Sequence, residues 1–186
     1  MKRTRMKKIG TVLAGVICTL SLVSCGNTSN KSSSKKASTA KTITVGKQQK
    51  YYFKNNVAEI HDIKIQITNV EIKTADQTNG YSDKPLIIFI YKVTNKTDKK
   101  IDPISAWLAV FNAYQDNDKN SVNELDIGST IDEKYLDTQS EQIKKDGTVE
   151  NEITYELSDM STPVKLQATQ GMDGKKLGYQ MYRIKQ

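Results

Sequence analysis

The sequence predicts an all-β domain over residues 42–186, an antiparallel β-sandwich of about seven to eight short strands. Three observations lead to this class. Apolar and polar residues alternate along short runs such as Ile63–Ile67. Turn residues, among them Asn79-Gly80 and Asp146-Gly147, separate the runs. One run, Leu86–Tyr91, is apolar throughout, which is typical of a strand covered on both faces.

The first half of the domain predicts weak strands at 42–45 and 51–53, followed by a longer strand at 63–72. In this longer strand the alternation changes phase near Thr68-Asn69. A change of phase within one strand indicates a β-bulge. The apolar run 85–93 then predicts a central strand.

The second half is less regular. Strands are predicted at 104–114, 149–157, 163–169 and 178–184, the last two as a hairpin. Thr130 and Glu133 fit a capping box, so a short helix is predicted near residues 130–144, with an ordered loop as the alternative. The architecture expected is immunoglobulin-like without the Cys…Trp…Cys spacing of antibody domains, and a closed barrel is the alternative.

The N-terminus has the pattern of an export signal. Five basic residues and no acid stand within the first eight, and the apolar run Ile9–Val23 follows. Leu22-Val23-Ser24-Cys25 resembles a bacterial lipobox, whereas Cys18 fits the pattern less well. The resemblance implies that residues 1–24 are removed and that the Cys25 thiol receives a diacylglyceryl group. A plain secretory signal, or an uncleaved anchor with an ordinary cysteine, is the alternative.

Residues 25–41 are interpreted as the lipidated cysteine and a flexible tether, because residues 26–41 contain no large apolar side chain. The net charge of +7 comes from this region. Residues 1–24 carry five positive charges and residues 26–41 carry four, which leaves about −2 for residues 42–186. A nucleic-acid partner is therefore not expected. The domain contains no cysteine, which excludes a disulfide, a cysteine metal site and a cysteine nucleophile within it.

Three segments together resemble a known family. They are Ile90–Asp98, Phe111–Asp116, and Gly147–Glu150 with Tyr155–Leu157. Their order and spacing are similar to a domain-of-unknown-function family of small Gram-positive lipoproteins. The resemblance implies a fold like the immunoglobulin-like sandwich of a mycobacterial immunoprotective extracellular antigen. It carries over no functional residues, and Asn117 stands where the family turn usually has glycine.

His61, the only histidine, precedes a predicted strand and stands beside Asp62. A Ser-His-Asp triad is formally possible, but the sequence has no Gly-x-Ser-x-Gly elbow. An ordinary surface histidine is favoured.

Asp116, Asp118 and Asn120 occupy the first, third and fifth positions of a calcium-loop pattern. Ser121 and Ile127 break the pattern at its sixth and twelfth positions. A polar β-turn is favoured, and no metal or other cofactor is expected.

Glu150, Glu152 and Glu156 share one face of a predicted strand. They form either a solvated face, which is favoured, or part of a glycosidase site. The nine tyrosines, Tyr179 among them, could line a ligand groove, but tyrosine is also common in half-buried strands.

These observations predict a non-enzymatic, lipid-anchored binding domain on the extracytoplasmic face of the cell membrane. Its expected partners are the membrane, through the anchor, and an envelope protein or glycan. The alternatives are an envelope hydrolase that uses carboxylates or His61, and a small solute-capturing lipoprotein.

Overall fold

The computed structural model describes residues 50–184. The predicted signal at 1–24, Cys25, the tether at 25–41 and the weak strand at 42–45 lie outside the described residues. The strands are β1 (Tyr52–Lys54), β2 (Val57–Glu59), β3 (Ile63–Lys73), β4 (Leu86–Asn95), β5 (Phe111–Gln115), β6 (Thr148–Glu156), β7 (Val164–Thr169) and β8 (Lys176–Tyr182). The helical elements are α1 (Pro103–Val110) and 3-10 turns at Ala75–Thr78 and Glu133–Tyr135.

Two antiparallel sheets enclose the core. The first sheet has the strand order β1-β2-β3-β4-β6, and the second has the order β5-β7-β8. Alternate residues of each strand point inward, so that Ile65, Val93 and Leu166 are fully buried between the sheets. This arrangement confirms the predicted antiparallel β-sandwich. Among residues 50–184, no helix has the length and apolar character needed to cross a membrane.

The central strand and the bulge are both confirmed. β4 lies between β3 and β6 in the larger sheet, and its apolar run is buried on both faces. The register of β3 against β4 shifts between Ile67 and Asn69, as the change of phase predicted. Thr68, skipped by the ladder, donates its hydroxyl to the carbonyl of Ile90 at 3.1 Å.

The β1–β2 hairpin contains a strand that the sequence did not reveal. Its turn residues Asn55 and Asn56 have φ angles of 51° and 61°. Two consecutive left-handed residues are typical of the tight hairpin turns that asparagine tolerates. β2 has only three residues, too few for an alternating pattern to stand out.

The predicted strand at 104–114 is wrong over its first seven residues. Helix α1 occupies this stretch, and only Phe111–Gln115 are extended. Asp102 is the N-cap, and its carboxylate accepts a hydrogen bond from the backbone N–H of Ser105 at 2.8 Å. Pro103 follows at the first helical position, where its missing N–H costs nothing.

Trp107 places the helix on the aromatic core. Its indole N–H donates to the Tyr155 hydroxyl at 2.8 Å, and its ring lies 4.5 Å from those of both Tyr91 and Phe111, centroid to centroid. Burial raises the pKa of both Tyr91 and Tyr155 well above the usual tyrosine value. These tyrosines are therefore neutral core residues with hydrogen-bonded hydroxyls.

A segment that we call the crossing segment, Asn123–Gly128, passes from the edge of one sheet to the edge of the other. Its first part bonds β5, with Gln115 N–H donating to the carbonyl of Asn123 at 3.1 Å. Its last part bonds β6, with Gly128 N–H donating to the carbonyl of Thr154 at 3.1 Å. A Cβ on Gly128 would lie 2.9 Å from Thr154 Oγ1, so this close approach requires glycine.

The short helix predicted near residues 130–144 is a single 3-10 turn at Glu133–Tyr135. Its N-cap is Asp132 rather than Thr130, because the Asp132 carboxylate accepts from the backbone N–H of Lys134. The predicted capping box is therefore wrong. The other residues of this stretch form a loop that packs on β6.

Candidate binding face

The outer surface of the β5-β7-β8 sheet carries a group of large side chains, of which Tyr179 and Met181 are exposed and the others half-buried. We call this surface the tyrosine–lysine face; it consists of Asn112, Tyr114, Lys165, Gln167, Tyr179 and Met181. Strand alternation produces it, since the intervening residues Phe111, Ala113 and Leu166 are buried in the core. The pairing places Lys165 opposite both Tyr114 and Met181, and Gln167 opposite both Asn112 and Tyr179.

Lys165 lies between two aromatic rings. Its ammonium nitrogen is 5.9 Å from the Tyr114 ring centroid and 5.3 Å from that of Tyr179, both within the range of cation–π attraction. Over residues 50–184, none of the ion pairs involves Lys165. Burial, and to a lesser extent the Glu124 carboxylate, raises the pKa of Tyr114. The face thus presents a cation held by aromatic rings, with its N–H donors directed to no carboxylate of the described domain.

Two adjoining clefts lie on the part of this face formed by β5 and β7, and Tyr179 borders neither of them. Their volumes are about 460 Å³ and about 400 Å³, and both are lined by Tyr114, Gln167 and Lys176. The shared side chains join the clefts into one shallow trough. A trough of this kind can hold an extended ligand, whereas a small ligand is usually enclosed in a deeper pocket.

Apolar side chains surround the trough. Eight large apolar or aromatic side chains are exposed on the described part of the chain, and five of them lie on the face or line a cleft: Leu108, Val122, Met172, Tyr179 and Met181. Val122 and Met172 are the most exposed, at 83% and 79%. Grouped exposed apolar side chains typically mark an interaction surface.

His61 lies at the surface. Its Nδ1 is 2.5 Å from Asp62 Oδ1, and Asp62 Oδ2 accepts from Lys99 at 2.7 Å. The hydrogen bonds from Lys99 and then from His61 lower the pKa of Asp62. In residues 50–184, no serine or threonine hydroxyl is hydrogen-bonded to the imidazole. Within this part of the chain, the pair therefore has an orienting carboxylate but no hydroxyl bonded to its ring.

The residues of the calcium-loop pattern form a turn. Asp118 Oδ1 accepts from the backbone N–H groups of Asn120 at 2.6 Å and of Ser121 at 3.0 Å. These two bonds lower the pKa of Asp118. Asp116 instead lines the larger cleft. Nowhere between residues 50 and 184 do three or more His, Cys, Asp or Glu side chains form a group that could hold a metal.

The acidic row on β6 is not a solvated face, so that prediction is wrong at its centre. Glu152 is 4% exposed, and its carboxylate accepts from the backbone N–H groups of Ile131 and Asp132 at 2.5 and 3.0 Å. Glu150 accepts from the Tyr135 hydroxyl at 2.9 Å. The loop before β6 covers Glu152, whereas Glu150 remains exposed, and both carboxylates hold that loop in place.

Sequence reasoning found one member of the face and missed its centre. Tyr179 was among the tyrosines considered for a groove, whereas Tyr91 and Tyr155 belong to the core. Lys165 and Tyr114 were not singled out. The available signal was the alternation of 163–169, which places Lys165 and Gln167 on the solvent side of a correctly predicted hairpin.

The two facing antiparallel sheets define the chain as a β-sandwich protein. Residues 27–170 match the model of the family described as "Domain of unknown function (DUF5067)". The chain belongs to this family. The match confirms the resemblance to a domain-of-unknown-function family, and it assigns no activity.

Several solved structures are similar to this chain, and the first of them shares its fold. One is described as a putative lipoprotein from Staphylococcus aureus subsp. aureus NCTC 8325, with 23% identity, a TM-score of 0.60, and coverage of 72% of this chain and 92% of that one. Another is a putative lipoprotein from Bacillus subtilis subsp. subtilis strain 168, with 15% identity and a TM-score of 0.48; the alignment covers 70% of this chain and 38% of that one.

A third is an uncharacterized β-sandwich protein from Clostridium difficile 630, with 16% identity, a TM-score of 0.43, and coverage of 74% of this chain and 95% of that one. At these identities the likeness concerns the fold. No curated protein matches the sequence significantly.

Proposed function

We propose that the mature chain is a lipid-anchored, non-enzymatic binding domain on the outer side of the cell membrane, and that it binds an envelope component through the tyrosine–lysine face. One observation carries the proposal. Lys165 is held between Tyr114 and Tyr179 on an exposed sheet face, and apolar side chains surround it. Exposed apolar side chains grouped in this way typically mark a surface that a partner covers.

The anchor is supported by the N-terminal residues. Leu22-Val23-Ser24-Cys25 has the residue types and order of a lipobox, and a polar stretch follows it. The Staphylococcus aureus protein of the same fold is itself described as a putative lipoprotein. A diacylglyceryl group supplies two acyl chains, enough for stable membrane attachment.

The hydrogen bonds and the ion pair of the acidic side chains on β6 favour a binding role over hydrolysis. Glu152 holds backbone N–H groups, Glu150 holds a tyrosine hydroxyl, and Glu156 pairs with Lys84 at 2.7 Å. A glycosidase instead needs two carboxylates that face a substrate cleft from opposite sides. Glu150 and Glu152 therefore hold the loop before β6, and Glu156, which lines a separate pocket with Asp83, Glu124 and Asp126, is paired with Lys84.

The anchor is tested by Cys25→Ser in the full chain. We expect less of the variant in the membrane fraction, because without acylation the short apolar run Ile9–Val23 is its remaining attachment. Cys18→Ser is the matched control and should stay membrane-bound. Mass spectrometry should find the diacylglyceryl group on Cys25 of the control. An unmodified Cys25 thiol in membrane-bound protein would contradict the proposal.

The face is tested by binding of residues 26–186 to isolated cell envelopes. We expect Tyr179→Ala to reduce binding strongly, because this ring is 60% exposed and contributes to the face without filling the core. Tyr81→Ala is the control, since Tyr81 is also exposed and lies in a loop outside the face. Equal binding by both variants and the unmodified protein would rule out this face as the site.

A further inference from the structure

We propose that the tyrosine–lysine face takes an extended glycan chain of low net charge. The inference rests on the proposed function, in which this face is the binding surface, and it names the chemistry of the ligand. Three features carry it: the placement of the rings, the free polar groups between them, and the shape and charge of the trough.

The two tyrosines lie on opposite sides of β7. Tyr114 is on β5 and Tyr179 is on β8, so their strands are separated by about 10 Å, twice the spacing of neighbouring strands. Tyr114 pairs with Lys165 of β7, and Tyr179 pairs with Gln167 of the same strand. Because these two partners are two residues apart along β7, the rings are offset diagonally. Two separated aromatic rings suit successive sugar units, whose apolar C–H faces pack on a ring while their hydroxyls remain hydrated.

The polar groups between the rings are available to a ligand. In the described part of the chain, the Gln167 amide takes part in none of the side-chain hydrogen bonds, and neither Lys165 nor Lys176 forms an ion pair. An amide both donates and accepts, and an ammonium donates up to three bonds. These are the groups that sugar hydroxyls and acetamido carbonyls need.

The trough favours a glycan over an added peptide strand. The edge of β5 is already bonded by the crossing segment, through Gln115 N–H to Asn123 O and Leu125 N–H to Ala113 O. On the other flank, the β1–β2 hairpin packs beside β8, and its Asn56 backbone N–H donates to the Gln180 side chain at 2.7 Å. An extended peptide that binds by strand addition needs a free edge. Beside the ring of Tyr114, Val122 is the one aliphatic residue that lines the larger cleft.

The charge of the trough favours a ligand of low net charge. Lys165 and Lys176 are balanced by acidic residues that line the same clefts, Asp116, Glu124 and Asp173. A polyanion such as a nucleic acid or a phosphate polymer selects a predominantly basic surface. The lining of the trough presents positive and negative side chains in similar numbers.

The test uses Gram-positive cell walls freed of protein and lipid, in two forms: with their anionic polymers retained, and with those polymers removed by acid extraction. Co-sedimentation of residues 26–186 gives the Kd for each. We expect similar Kd values for both forms. Tyr114→Ala and Tyr179→Ala should each raise the Kd about tenfold, the effect of losing roughly 1.4 kcal/mol of contact. Tyr81→Ala should leave the Kd unchanged.

Gln167→Leu provides a second measure that does not remove an aromatic ring. We expect it to raise the Kd for both wall preparations, and urea unfolding of each variant checks that the domain is intact. Binding only to walls that retain anionic polymers would overturn the inference in favour of a polyanion. Absence of binding to both forms would also overturn it. If intact envelopes were still bound in a Tyr179-dependent manner, the proposed binding face would stand and only the glycan assignment would fail.

Discussion

Among side chains of its size, we expect Gln115 to be the one whose replacement lowers the free energy of unfolding the most. It is fully buried at the end of β5. Its Nε2 donates to the carbonyls of Asp159 at 2.9 Å and Thr162 at 2.8 Å, and its Oε1 accepts from Ser158 N–H at 2.7 Å and Asp159 N–H at 3.3 Å. One amide therefore satisfies four backbone groups of the turn between β6 and β7.

Gln115→Ala removes all four hydrogen bonds and leaves the backbone groups without the amide. At about 1 kcal/mol for each bond, we expect the free energy of unfolding to fall by about 4 kcal/mol. The whole stability of a domain is usually about 5–15 kcal/mol. The variant should therefore be folded at low denaturant and unfold at a much lower urea concentration than the unmodified protein.

Gln115→Glu keeps the shape of the side chain and makes the loss of stability depend on pH. One carboxylate oxygen can still accept from Ser158 and Asp159, but the other would face the carbonyl oxygens of Asp159 and Thr162. Folding then favours the protonated acid, so its pKa is raised above the unfolded value of about 4.3. The variant should be most stable below that value and should lose stability as the pH rises through the raised pKa.

Trp107, the single tryptophan, provides the fluorescence signal for urea unfolding of residues 26–186. Comparison of pH 5 with pH 7 should show a drop of about 1.4 kcal/mol or more for Gln115→Glu beyond any change in the unmodified protein, equivalent to one unit of pKa shift or more. Equal stability of Gln115→Glu and the unmodified protein at both pH values would refute the reasoning. So would a loss below about 1 kcal/mol for Gln115→Ala.

Three further changes have expected outcomes in the same urea assay. Tyr155→Phe leaves the buried Trp107 N–H without its acceptor and should cost about 1–3 kcal/mol; no loss would mean the bond is unimportant. Asp102→Ala removes the N-cap of α1 and should cost about 1 kcal/mol, whereas Asp102→Asn, which can still accept from Ser105 N–H, should cost less. The pKa of Asp159 is far below its usual range because backbone and side-chain donors hold the carboxylate, first among them the N–H of Thr162. The contribution of the Asp159 carboxylate to the free energy of unfolding is present above about pH 3.9 and is lost as the pH falls through the folded-state pKa. Asp159→Asn should therefore make the free energy of unfolding depend less steeply on pH in the acid range.

The strands that could be predicted from sequence are those whose pattern has one physical cause. β4 was predictable because a strand covered on both faces needs apolar residues throughout. The bulge at Thr68 was predictable because a slip of one residue exchanges the two faces of β3. The final hairpin, β7 and β8, followed from alternation on both sides of a turn.

The sequence pattern did not predict helix α1, because the apolar residues of this stretch show no helical periodicity. Eight residues with Trp107, Leu108 and Val110 are apolar on nearly every side, and short apolar runs do not distinguish helix from strand. Asp102-Pro103 was the deciding signal, an N-cap followed by proline at the first helical position. The tyrosine–lysine face could not be predicted as a unit, because it joins residues on strands that are distant in sequence.

The crossing segment has a consequence for neighbouring molecules. By bonding β5 and then β6, it occupies backbone groups that a second chain would need in order to continue either ladder. A fibril grows only if each molecule can pair with another molecule along both edges of its sheets. Copies crowded side by side would find one flank of this domain already closed, so a growing stack would stop there.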